Sequence, residues 1–328
     1  MVASSRRPTV VITHWVDPEV VAALAPACRV VVNETKATLP REEVLQRAGP
    51  AEAVMAFMPD VIDEDFLAHC PRLRIVAGAF KGHDNVDVGA CRRRGVWVTT
   101  VNDLLTVPTA ELAIGLLLAL SRNIVEGDRH VRSGGFDGWQ PRLYGSGLHA
   151  STVGLVGMGA VGRAVARRLT AFGSRIVYAD PAPVPAGSAI RLELSDVLRT
   201  SDSLIVTAPL QAGTRHLIDG SALAQLKAGA YLVNVGRGSV VDEEAVTAAL
   251  ASGRLRGYAT DVFAFEDLAS ADRPSGIHSG LLSLRRATVL TPHLGSAVGA
   301  ARRAIELEAA TSILEALRGE APRAAVEA

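Results

Sequence analysis

The sequence predicts an α/β protein made of two doubly wound parallel-sheet units, and three observations carry that expectation. Hydrophobic residues make up 48% of the chain but aromatics only 4%, so the cores must be built from Ala, Val and Leu, as when helices are laid on parallel strands. Short β-branched runs alternate with helical patterns along the first hundred residues, the spacing of strand-helix-strand crossovers. A second series of the same kind begins near residue 152, after a Gly-rich and aromatic interruption at 134–147. With 328 residues the chain is long enough for two cores.

In order, the first series places strands at 10–13, 30–32, 54–57, 75–77 and 96–99, with helices at 18–24 and 41–47. Pro108, suited to a first helical turn, opens one long helix running toward residue 132. The second series has strands at 152–156, 176–179, 204–207, 231–235, 258–260 and 288–290. The last helical pattern, 297–317, is too apolar on one face to stand alone and should fold back onto the first unit, while 319–328 reads as frayed.

Composition excludes several classes. The 34 Lys+Arg balance 34 Asp+Glu, leaving no net attraction to nucleic acid or to an acidic membrane. The apolar stretch 112–120 is far shorter than a membrane span. Cys28, Cys70 and Cys91 match no zinc spacing, and no charged-then-apolar leader is apparent; a reduced, cytoplasmic protein without a metal is expected. Neither a Walker loop nor a nucleophile elbow is present.

One motif carries a cofactor. Gly157, Met158, Gly159, Ala160, Val161 and Gly162 form a GxGxxG between the strand at 152–156 and a helix containing Val165 and Leu169. The first Gly permits the tight turn, the second lets a pyrophosphate approach the backbone, and the third lets helix and strand pack closely. Asp180 ends the next strand 18 residues after Gly162, where a carboxylate can accept from a ribose 2′-hydroxyl. It would repel a 2′-phosphate, so NAD is expected over NADP, although Arg191 could reach the same place.

Three polar residues stand in apolar or Gly-rich surroundings: Arg237 in NVGRGSVVDEEAV, Glu266 in DVFAFED and His293 in TPHLGS. In this order and context the chain resembles the D-isomer-specific 2-hydroxyacid dehydrogenases, from about residue 9 to the C-terminal helix. The resemblance implies a Rossmann-type NAD domain (104–296) inserted in a flavodoxin-like substrate domain (1–103 and 297–328). It also implies a dimer, with the helix from Pro108 and its aromatic extension as the arm. The trio suits hydride transfer: a base (His293), an acid to hold it (Glu266) and a cation for an anionic substrate (Arg237). Asp261 falls where relatives contact the nicotinamide end, and Pro209 where the cofactor cleft is lined.

The departures narrow the substrate. The loop that commonly carries two glycines around an apolar residue reads AGAFKGHDNVDV, placing Lys81 beside Gly82, and the EP dipeptide common after the catalytic Glu is replaced by Glu266 and Asp267. With MAFMPD around Met58, the segment carrying Trp139 and Tyr144, and Ser296 after the His293 loop, the chain resembles the phosphonate dehydrogenase branch, which oxidises phosphite to phosphate. Phosphite is largely a dianion near neutral pH. A second cation opposite Arg237 would add up to ~4 kcal/mol before desolvation, at about 4 Å and an effective dielectric of about 20. Met58, Trp139, Tyr144 and Ser296 would shape the pocket, with core packing the rival role for Met58 and Trp139. Two alternatives stand: an ordinary 2-hydroxyacid dehydrogenase reducing glyoxylate or hydroxypyruvate, and a non-enzymatic NAD-sensing adaptor.

Overall fold

The structure, a computed structural model, describes residues 6–101 and 103–326. The chain divides into two compact units, Met1–Leu105 with Ala297–Ala328, and Thr106–Ser296. Each has its own sheet with an apolar cluster on either face.

Among the described residues the first unit holds a five-stranded, wholly parallel sheet of β1 (Thr9–Ile12), β2 (Arg29–Val32), β3 (Ala53–Ala56), β4 (Ile75–Gly78) and β5 (Trp97–Thr99). Its order is 2-1-3-4-5, the flavodoxin-like doubly wound arrangement. Aspartates start several of its helices. Asp63 accepts from Phe66 N at 2.8 Å and Asp87 from Ala90 N at 2.7 Å, each satisfying an amide the helix leaves unpaired.

The C-terminal helix, Gly299–Arg318, belongs to this unit. Ile305, Ala309, Ile313 and Ala316 recur at helical spacing and bury against the core formed by Val10, Ile12, Ala53 and Met55. Gly319, at φ 87°, ends the helix in the left-handed conformation that glycine adopts without strain. The expectation of a frayed end is corrected over residues 319–326. Val326 N donates to Val98 O at 2.8 Å, Ala325 bridges Thr99 antiparallel, and the Arg323 guanidinium meets Glu315 at 2.6 Å. The tail covers the open edge of β5, whose unpaired backbone groups draw it in despite its weak sequence pattern. Residues 327 and 328 lie outside the described residues.

The second unit carries a seven-stranded parallel sheet. Its strands are β6 (Thr152–Val156), β7 (Arg175–Ala179), β8 (Ile190–Arg191), β9 (Ser203–Val206), β10 (Ala230–Asn234), β11 (Leu255–Thr260) and β12 (Thr288–Leu290). Their order, 12-11-10-9-6-7-8, is the Rossmann order extended by one strand, and it reverses between β6 and β9. The two-residue β8 is too short for alternation to reveal.

The single helix expected from Pro108 to Arg132 is two: Thr106–Ser121 and Ile124–Arg132, bent by 60°. The break falls at Asn123, which takes φ 54° and donates from Nδ2 to Leu143 O at 3.1 Å. Asn tolerates that conformation better than most residues, because its amide bonds locally. The first helix is buried along much of its length and packs on Ala160–Thr170 and on β10 and β11. Among the described residues no single helix is long and apolar enough to cross a membrane. The three cysteines are unpaired by disulfides and buried, and burial pushes the Cys70 thiol up to about 11 and that of Cys91 to about 12, so neither is a thiolate nucleophile near neutral pH.

Candidate active site

In open α/β sheets ligands bind at the carboxyl ends of the strands, where the strand order reverses. Here that point lies between β6 and β9, and the glycine loop occupies it. Gly157 has φ 94°, and a Cβ there would stand 2.9 Å from Ala208 N. A Cβ on Gly162 would stand 2.3 Å from Gly157 O, so only glycine lets Ala160–Thr170 pack this close to the turn. Gly159 is the contrast: a Cβ on it would meet nothing within 4 Å. Its bare backbone faces open space at the start of an 11-residue helix whose end carries partial positive charge. A pyrophosphate fits that cradle.

Asp180 is placed to close the loop. Its Oδ2 accepts from Met158 N at 2.7 Å and its Oδ1 from Ala182 N at 3.0 Å, so the carboxylate is fixed next to the phosphate turn. The Met158 side chain is fully buried, which leaves this residue only its backbone to offer. Arg191 folds over the same turn and donates to the carbonyls of Asp180 at 2.9 Å and Pro181 at 3.0 Å. Pro209, exposed just beyond β9, accepts from Thr214 Oγ1 through its carbonyl.

The polar trio emerges from the carboxyl ends of neighbouring strands of the same sheet. Arg237 follows β10. Asn234, fully buried at the end of that strand, accepts from Gly236 N and donates to Arg237 O at 2.9 Å, so the strand end shapes the loop. Gly236 and Gly238 are required on either side: added Cβ atoms would stand 2.4 Å from Ala208 O and 1.9 Å from the Phe263 carbonyl carbon. Arg237 itself is half-buried.

Glu266 ends the turn Ala264–Glu266 after β11, and His293 lies in the loop after β12. His293 Nδ1 is 2.7 Å from Glu266 Oε2, and Glu266 Oε1 accepts from Phe263 N at 2.8 Å. The carboxylate therefore orients the imidazole through Nδ1, which leaves Nε2 as the ring nitrogen that can exchange a proton. Both side chains are partly open, at 31% and 25% exposed.

Asp261 has a structural role that the sequence did not reveal. It is 2% exposed, with Oδ1 accepting from Thr291 Oγ1 and Leu294 N, both at 2.6 Å, and Oδ2 from Gly295 N at 2.7 Å. Burial raises its carboxyl pKa, against these hydrogen bonds and the nearby His293. It fastens the loop that holds His293 in a left-handed conformation, φ 55°. Ser296 follows this loop, half-buried.

Trp139 is 82% exposed and Tyr144 68%, so core packing is not the role of Trp139. Met58 is different: it packs against the first unit's core. Lys81 and Gly82 follow β4 in that unit, both half-buried. Sequence reasoning missed the network at the carboxyl ends of β1 and β3. Asp60, 5% exposed, accepts from Thr13 Oγ1 at 2.6 Å and Phe57 N at 2.7 Å, and Asn85 donates to Asp60 O. The His14 ring lies 5.1 Å from that of Phe57, tilted by 59°, and the Arg302 guanidinium lies 5.6 Å from the Phe57 ring. The string MAFMPD was the available signal, since its Asp follows a wholly apolar run.

A glycine-rich switch-point loop and a histidine-carboxylate pair on one Rossmann sheet define a dinucleotide-dependent oxidoreductase. Residues 114–295 match the model for the D-isomer specific 2-hydroxyacid dehydrogenase NAD-binding domain. The chain is 37% identical over 326 residues to a glyoxylate reductase of Pyrococcus furiosus, covering 96% of this chain and 94% of that one. It is likewise 37% identical over 327 residues to a glyoxylate reductase of Aeropyrum pernix, covering 97% and 95%. Among solved structures it is similar to the TT0316 protein of Thermus thermophilus (TM-score 0.89, 35% identity, 97% and 100% covered). It is also similar to an NADPH-dependent glyoxylate/hydroxypyruvate reductase of Sinorhizobium meliloti in complex with NADP and malonate (TM-score 0.85, 30% identity, 98% and 97% covered). The chain belongs to the D-isomer specific 2-hydroxyacid dehydrogenase family, and its cofactor is NAD.

Proposed function

We propose that the protein reduces a small 2-oxo acid of the glyoxylate and hydroxypyruvate class to the 2-hydroxy acid. The observation that carries this reading is the 2.7 Å contact between His293 Nδ1 and Glu266 Oε2 on the sheet that bears the glycine loop. NADH supplies the hydride when bound, held by Gly157–Gly162 and Asp180. Arg237 holds the substrate carboxylate through its guanidinium. His293 delivers a proton from Nε2 to the carbonyl oxygen as hydride arrives at carbon, and takes it back in the reverse direction, while Glu266 keeps the ring in place. The glyoxylate reductases that match nearly the whole chain support this substrate class.

A second reading, oxidation of phosphite to phosphate, is favoured by specific residues: Lys81 in the loop after β4, Asp267 where relatives commonly carry Pro, and the segments around Met58 and Trp139. In that reaction a water attacks phosphorus as hydride departs, and His293 accepts the water's proton. Steady-state assays following nicotinamide absorbance separate the two, with NADH plus glyoxylate or hydroxypyruvate against NAD plus phosphite. Turnover only with phosphite, abolished by Lys81→Ala, would replace the first reading with the second. Turnover with neither would leave the NAD-sensing adaptor.

NAD over NADP is the expected preference, since Asp180 is fixed beside the phosphate turn; Asp180→Ala should raise NADP use relative to NAD. The active species is a homodimer in this proposal. Ile124, Val131, Phe136 and Trp139, all more than half exposed along the second helix of the bent pair and the segment after it, supply the apolar surface.

A further inference from the structure

Neither substrate reading gives a task to the side chain of Asp267, which stands beside Glu266 where relatives commonly carry Pro. Asp267 is 2% exposed, and its Oδ2 accepts from Ser239 N at 2.7 Å. The two ends of that bond belong to different loops. Ser239 lies in the turn Gly238–Val240, directly after Arg237, and Asp267 directly follows the turn Ala264–Glu266. The loops pack so closely that a Cβ on Gly238 would stand 2.2 Å from Ala264 N. A further buried carboxylate, Glu243, pins the second turn by accepting from Ala264 N at 2.9 Å. A charge-assisted bond from a buried carboxylate to a backbone amide is among the stronger kinds. Proline has no side-chain acceptor and could not make it.

We propose that Asp267 is a positioning residue that ties the Arg237 loop to the Glu266 turn, and so fixes where the anion-holding guanidinium stands relative to the His293–Glu266 pair. The inference rests on Arg237 as the anion-holding side chain. Its consequence is selective: loosening the bond should cost anion affinity while the nucleotide cradle, built on β6 and the helix after it, is left alone.

The test is calorimetric titration of the NAD-loaded full chain with oxalate, and of the NADH-loaded chain with phosphite, a pair between which no hydride can pass, beside NADH binding followed by fluorescence. Asp267→Ala should weaken anion binding about tenfold, the scale of losing one net hydrogen bond to a charged group, with NADH affinity unchanged. Asp267→Asn, whose carbonyl oxygen can still accept from Ser239 N, should recover most of the loss. Where the alanine variant does not fold, Asp267→Ser, too short to reach the amide, is read in its place. Unchanged anion binding in the alanine or serine variant overturns the proposal, as does an asparagine variant no better than alanine or a parallel loss of NADH affinity. Arg237→Gln separates the premises: if it leaves anion binding intact, the role given to Arg237 fails, whereas if it weakens binding and Asp267→Ala does not, only the tie fails.

Discussion

The two sheets are both wholly parallel and both end in loops at their carboxyl edge, yet their polar groups are held in opposite ways. At the edge of the five-stranded sheet, Asp60 is buried and bound by Thr13 and the Phe57 amide. Burial raises its carboxyl pKa, with the bonds from Thr13 and Phe57 and the nearby His14 pulling the other way, and burial lowers that of His14. At the edge of the seven-stranded sheet, a buried carboxylate, Asp261, serves as a fastener while the pair it positions, His293 and Glu266, keeps a quarter to a third of its side-chain surface open. A buried network specifies backbone, whereas a half-open pair can exchange protons, which is the task the proposed reaction gives to His293 and Glu266.

His293→Asn is the change expected to break that contrast most severely. It should lower kcat by about 10²- to 10⁴-fold, the usual worth of a positioned acid-base group, with NADH affinity intact by fluorescence titration. Gly162→Val comes next. Its new carbons must displace Gly157 O, costing about 1–3 kcal/mol by denaturant titration and weakening NADH binding. Asp261→Asn should cost about 1–3 kcal/mol by denaturant titration, since its NH₂ must face an amide donor where a carboxylate oxygen accepted, and kcat should fall.

Asp60→Asn should show the smallest effect, and one that depends on pH. A carboxyl whose folded pKa is raised favours folding fully below its ordinary value near 3.8, and that contribution is lost as pH rises through the raised value. The variant keeps an acceptor for Thr13 and Phe57 but carries no charge. Its stability by denaturant titration should therefore gain on wild type from acidic toward neutral pH, by ~1.4 kcal/mol for every tenfold difference in proton affinity between the folded and unfolded carboxyl. A difference constant with pH would deny that Asp60 carries its burial cost in the folded state.

Much of this was legible in the residues, and what was not has physical reasons. The glycine loop could be read because each glycine answers a separate steric demand, now visible at Gly157, Gly159 and Gly162. Arg237, Glu266 and His293 could be read because polar residues after apolar strands of a parallel sheet emerge at one edge. The helix break at Asn123 was hidden because its cause, a bond to Leu143 O, spans 20 residues. The ordered tail was hidden because its partner is a strand edge more than two hundred residues earlier, and edge pairing needs backbone rather than pattern. Asp267 was seen only as a missing Pro; what it binds is a backbone amide, which no side-chain motif announces.

The most direct measurement follows an isotope. With glyoxylate and NADH deuterated on the transferable position of C4, or with P-deuterated phosphite and NAD, whichever pair turns over, the label should arrive on the carbon of the hydroxy acid or on C4 of the reduced nicotinamide. Product formed without label would contradict direct hydride transfer at the edge of the seven-stranded sheet.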